Sequence, residues 1–284
     1  MPHFARIVAV LLVFFAAPSW AQEESDLQIK SIGPQTHDAQ SLTLANVAAN
    51  IEIVMGEKDS IDLFVTGPLE AVDRFEIVAA NGLLIVKQNP RETPLWGFFQ
   101  VILQEQTLPI VRVVMPAKHM IEFDNVTGSA TIESTNGPIK IRASALDATI
   151  GDVTEASISL QGSGDIEVGK VSNFFDARVS GSGSISAVST QAAALSIGGS
   201  GDIEVGATKG RVLARIYGSG DITTESIDGS VDVEINGSGE VNLGSGTAQP
   251  FRATINGSGD VIFDGVAVDP DIKVNGSGDI RIAD

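Results

Sequence analysis

The chain has 284 residues, 36 of them acidic and 18 basic, for a formal net charge of −18. A surface of that sign repels nucleic acid and anionic lipid, which excludes nucleic-acid binding as a function class. There is no cysteine, so neither a disulfide nor a thioether-linked lipid can hold the protein; with 43% hydrophobic residues, it must be stabilised by a packed core.

His3 and Arg6 precede an uncharged apolar run, Ile7 to Ala17, that ends in the small-residue site Ser19-Trp20-Ala21. That pattern predicts a secretory signal peptide over residues 1–21. The run is shorter than the roughly 20 residues a membrane-spanning helix needs, and Pro18 interrupts its end. Cleavage after Ala21 would leave no transmembrane segment, and loss of Arg6 takes the net charge from −18 to −19. The expected location is extracytoplasmic, periplasmic or secreted, in a Gram-negative bacterium.

Residues 22–40 are polar, contain Gly33-Pro34, and read as a linker. Residues 41–126 read as an N-terminal β-rich part. Strand-like runs are read at Asn50 to Val54 and Ile61 to Val65, and Asn81-Gly82 is a tight-turn signal between Phe75 to Val78 and Leu83 to Val86. Further strands are expected at Val111 to Met115 and Ile121 to Phe123. Between them, Pro94 to Leu103 concentrates aromatics, including Trp96, Phe98 and Phe99. The segment breaks the strand rhythm, as an insertion covering one end of the fold or as an exposed apolar patch for a partner or membrane surface.

Residues 127–284 read as a β-solenoid. Weak coils at Gly128 to Ile132 and Asn136 to Ile139 lead into a G-S-G motif at Gly162, Gly181, Gly199, Gly218, Gly237, Gly257 and Gly276, spaced 18 to 20 residues apart. The residue after the second glycine is acidic or Ser, and the next is always Ile or Val, from Ile166 to Ile280. Four and two residues before each motif, and at its fifth and seventh positions, every site is apolar except Thr224. These sites share one face of two flanking strands, and a one-residue slip would invert that face.

Glycine at both ends of the motif suits a corner that needs positive φ or close backbone approach. A second corner is marked at Lys209-Gly210, Asp228-Gly229, Gln249-Pro250 and Asp269-Pro270. Two strands per coil is the simplest count, with a third short side left open. Stacked coils rather than a run of hairpins are predicted, because stacking rewards identical side chains in ladders. Such ladders are visible in the Ile/Val position and in Asn236, Asn256 and Asn275.

On the Asn50 to Val54 strand, Asn81-Gly82-Leu83, Val111-Arg112-Val113-Val114-Met115-Pro116 and above all the G-S-G-D units, the chain from about Leu42 to Asp284 resembles the bacterial auto-transporter adhesins that carry the head GIN domain. The resemblance implies an all-β, right-handed parallel β-solenoid of the pectin-lyase kind, with G-S-G turns joining its sheets, and a role in adhesion without conserved catalytic groups. The sequence departs from a true autotransporter in that no barrel-like segment follows the last repeat at Asp284.

Outside the expected leader, histidine occurs only as His37 and His119, neither in a metal or triad spacing. Catalytic, cofactor and metal sites are therefore not predicted. The one arrangement with ligand chemistry is the acidic row Asp202, Asp221, Glu240, Asp260 and Asp279. Stacked about 5 Å apart, its members would repel by about 1 kcal/mol per neighbouring pair in water, which a Ca2+ ion would relieve. Turn capping is the preferred reading, since the opposite corner lacks matching glycines and carboxylates.

The resulting expectation is an exported, non-enzymatic solenoid of the cell envelope that binds a protein or a glycan. The alternative is a polysaccharide-active enzyme of the β-helix type, which would need one groove lined by Asp, Lys and Arg. Because the last coil closes at Ile282 without a visible cap, homo-oligomerisation through that edge is also expected.

Overall fold

The computed structural model describes residues 28–90 and 108–283. The expected signal peptide and the Trp96–Phe99 segment lie outside these residues.

The apolar alternation becomes a stack of coils. Ile166, Ile185, Ile203, Ile222, Val241, Val261 and Ile280 pair in parallel register, one above the next, in a single ladder. The inward-assigned sites are buried in the first six G-S-G coils. Thr224, the polar exception, is buried because its hydroxyl donates to the Leu243 carbonyl at 3.0 Å. Burying each Ile or Val is worth about 2–3 kcal/mol before the entropy of ordering the chain is subtracted. In the last coil the same face is not covered: Ile272 and Val274 are 44% and 41% exposed. Among the described residues no strand stacks beyond it, so the predicted inner face has nothing to pack against on one side.

In chain order the strands are β1 (Ile29–His37), β2 (Ser41–Ala45), β3 (Ala48–Gly56), β4 (Ile61–Pro68), β5 (Phe75–Ala80), β6 (Leu83–Gln88), β7 (Ile110–Pro116), β8 (Met120–Ile132), β9 (Pro138–Ile150), β10 (Val153–Ser163), β11 (Asp165–Val179) and β12 (Ser184–Ile197). One short helix, α1 (Leu69–Val72), follows β4. The stack continues through β13 (Asp202–Thr208), β14 (Val212–Ile216), β15 (Ile222–Ile235), β16 (Glu240–Asn242), β17 (Ser245–Gly257), β18 (Asp260–Phe263), β19 (Val266–Ala267), β20 (Asp271–Gly276) and β21 (Ile280–Ile282). The fold is a β-solenoid of about 9 turns with about 19 residues per coil.

The number of sides per coil, open in the sequence, is three. β11 pairs with β12 over 165–168, 170–171 and 174–179, with a break in register between Val171 and Phe174. The middle segment is a short third side between two long faces. One long face follows the G-S-G corner and the other precedes it.

The N-terminal end is built differently. β2 and β3 form a coil that stacks directly on β8, although β4 to β7 intervene in sequence. Its corner residue Asn46 and the corresponding Asn125 both have positive φ, at 53° and 57°, and the Asn125 Nδ2 donates to Asn46 Oδ1 at 2.8 Å. Asparagine tolerates that conformation better than other non-glycine residues. β6 and β7 pair in parallel with the outer sides of β2 and β3. β4 then adds antiparallel to β7, β1 antiparallel to β4, and β5 antiparallel to β6.

Residues 29–37, expected to belong to a linker, are therefore a strand of this cap. The misleading signal was Gly33-Pro34, which sits where the β1–β4 register shifts between Ile32 and Gln35. At a bulge a proline has no ladder bond to forfeit. Ile32 packs against the core, and Lys30 pairs with Asp73 across the cap.

Candidate functional site

The corner explains the repeat. A Cβ added to Gly181, Gly199, Gly218, Gly237, Gly257 or Gly276 would stand well inside 3.0 Å of the carbonyl oxygen of the equivalent glycine one coil earlier. The second glycine of each motif from Gly183 onward meets the same obstacle. Close stacking of one backbone on another thus demands glycine at these corners more generally than positive φ does. In return the corner is itself laddered. The Ser200 N–H donates to the Gly181 carbonyl at 3.0 Å, and Ser219, Ser238, Ser258 and Ser277 repeat the bond at 2.9 to 3.0 Å.

Along the acidic row, three carboxylates are used by the backbone of the next coil. Oδ1 of Asp202 accepts the Asp221 N–H at 3.2 Å, Asp221 accepts the Glu240 N–H at 2.8 Å, and Asp260 accepts the Asp279 N–H at 2.8 Å. Asp279 also pairs with Arg281 at 3.3 Å. The row begins earlier than sequence reasoning placed it: Asp147 Oδ1 accepts the Asp165 N–H at 3.1 Å, and Asp165 accepts the Ser184 hydroxyl at 2.6 Å. Asp147 lies 18 residues before Asp165 in a coil without G-S-G, and that spacing was its only signal. Among the described residues no group of three or more His, Asp or Glu is placed to hold a metal ion. His37 ends β1 and His119 leads into β8, both half-buried.

The two long faces differ in charge. The face before the G-S-G corner carries Lys140, Arg142, Arg178 and Arg215, each paired with a carboxylate, such as Lys140 with Glu122 at 2.7 Å and Arg178 with Asp176 at 2.9 Å. The Asp176 carboxyl is held above its ordinary range, because desolvation outweighs the attraction of Arg178. The face after the corner, from β8 to β18, contains no lysine or arginine on its long strands. A shallow groove of about 480 Å³ runs over this acidic face, lined by Glu167, Glu204 and Glu225 together with Val188, Gly169 and Gly206. It holds no basic residue in its lining. Sequence reasoning did not find it, since it is made by side chains three coils apart.

The family model for "Putative auto-transporter adhesin, head GIN domain" matches residues 43–226 and 215–284. The chain belongs to this family. Solved structures share its solenoid. A "putative lipid binding protein" from Parabacteroides distasonis is 24% identical with a TM-score of 0.56, over 90% of this chain and 96% of that one. A "putative adhesin" from the same organism is 16% identical with a TM-score of 0.51, over 90% of this chain and 98% of that one. At these identities the likeness speaks for the head GIN fold alone. No curated protein matches the chain significantly. Among the described residues, no helix is long and apolar enough to cross a membrane.

Proposed function

We propose that the protein is an exported, non-enzymatic solenoid of the bacterial envelope, periplasmic or secreted, whose long faces bind a protein or a glycan. The observation that carries this reading is the use made of the repeated acids. The carboxylates of Asp202, Asp221 and Asp260 each accept a backbone N–H of the next coil, so the most conspicuous chemistry in the sequence serves the scaffold. What is left for function is an array of outward side chains repeated at fixed spacing, which suits an extended partner better than a single small substrate. Membership of an adhesin family supports a binding role in the same direction. The polysaccharide-cleaving alternative wanted Asp, Lys and Arg converging in one groove, and the groove lining offers glutamates without a basic partner.

The test is binding of the secreted protein to an array of glycans and envelope proteins, with product analysis on the same glycans. Saturable binding without turnover is expected. Release of shortened saccharides would replace this reading with the enzymatic one.

A further inference from the structure

The acidic groove has a distinct lining. Val188 is an apolar residue standing 68% exposed on the outer side of its coil. The paired residues on either side give it isolation: the register of β11, β12 and β13 places Gly169 and Gly206 directly below and above it. The two glycines have no side chain to fill the space, so the floor on either side of Val188 is bare backbone. Glu225 bends over that floor, with its Oε2 at 3.5 Å from where a Gly206 Cβ would lie. Glu204 and Glu167 project from the adjoining outward column, two coils or about 10 Å apart. None of these three glutamates has an ion-pair or hydrogen-bond partner among the described residues, whereas Lys140, Arg142, Arg178 and Arg215 on the opposite face are all paired.

The geometry points to this groove as a docking site for a lysine-bearing, extended segment of a partner protein, a conclusion that rests on the binding-scaffold reading above. A lysine combines an aliphatic stem with a charged tip, and the groove offers the matching pair: methyl groups of Val188 for the stem and free carboxylates at the rim for the ammonium. The unbalanced negative field of this face also favours approach of a cation. A metal ion fits less well, because it would want several oxygens converging on one point, and these carboxylates are spread over coils.

The test uses a fluorescently labelled lysine–alanine repeat peptide and the secreted protein, with anisotropy read at about 0.15 M salt. Saturable binding is expected, weakened about tenfold by the double substitution Glu204→Gln with Glu225→Gln, and weakened also by Val188→Ser. Asp260→Asn with Asp264→Asn removes the same charge from the same face outside the groove, and should change affinity by less than about twofold. Equal losses from the two pairs would mean attraction by the general field only, and would overturn the site, as would no binding by the unmodified protein. A glycan or protein ligand found on the array and not displaced by the peptide would sink this inference while leaving the scaffold reading intact.

Discussion

Two neighbouring glycines in one corner should respond oppositely to the same substitution. Gly198 and Gly199 are adjacent in the chain, but a Cβ on Gly198 would find its nearest neighbours at 3.9 Å, whereas one on Gly199 would run into the Gly181 carbonyl oxygen of the coil before. That oxygen is not free to retreat, because it accepts the Ser200 N–H at 3.0 Å, and the adjoining bond from Gly198 to the Val179 carbonyl holds the same corner at 2.7 Å. Alanine at 199 would stand roughly 1 Å inside ordinary contact distance. Relief requires the coils to part locally, at a cost of one or two ladder hydrogen bonds of about 1 kcal/mol each plus overpacking of about 1–3 kcal/mol. Gly199→Ala should therefore destabilise by about 2–4 kcal/mol. Gly198→Ala meets no obstacle and should be neutral or stabilising by up to about 1 kcal/mol, since alanine narrows the unfolded ensemble. Urea denaturation followed by far-ultraviolet circular dichroism, with the two variants beside the parent, gives both numbers. If the two substitutions shift the midpoint equally, glycine is present for some reason other than stacking, and the explanation of the repeat fails.

Ile222→Asp places a carboxylate in the apolar ladder and should cost several kcal/mol, whereas Thr223→Asp, one residue along and outward, should shift thermal unfolding by less than about 0.5 kcal/mol. Equal damage in the same melting experiment would refute the register. Millimolar Ca2+ should raise the melting temperature no more than sodium at equal ionic strength, while Asp221→Ala, which strands the Glu240 N–H, should cost about 1 kcal/mol and Asp221→Asn much less; a saturable, calcium-specific rise lost in Asp221→Asn would show a cation site instead. Asp176 gives a pH signature: with its folded pKa raised above the unfolded value, its contribution favours folding at low pH and is lost as pH rises through the folded pKa. Asp176→Asn should therefore stabilise at neutral pH and bring no gain at about pH 3, and a constant difference at both would contradict the burial of that carboxyl.

The solenoid could be read from the sequence because its determinants are local and repeated. The inward column from Ile166 to Ile280 and the glycines at each corner recur at one spacing, identical residues at equivalent positions favour stacking over a run of hairpins, and the buried ladder follows them. The repeat also marked Asp202, Asp221 and Asp260 at the corner, although only the structure showed their oxygens bound to backbone N–H groups of the next coil and extended the row back to Asp147. The sequence was silent where pairing is non-local. β2 and β3 stack on β8 across intervening strands, and β1, β4 and β5 close the end as antiparallel additions. Such partners are chosen by whichever edge is open after the chain has folded back, and neither periodicity nor Gly33-Pro34 carries that information. The groove is of the same kind: Glu167, Val188, Glu204 and Glu225 come from four successive coils and become one surface only because stacking brings their outward sides together, with glycines leaving the space between.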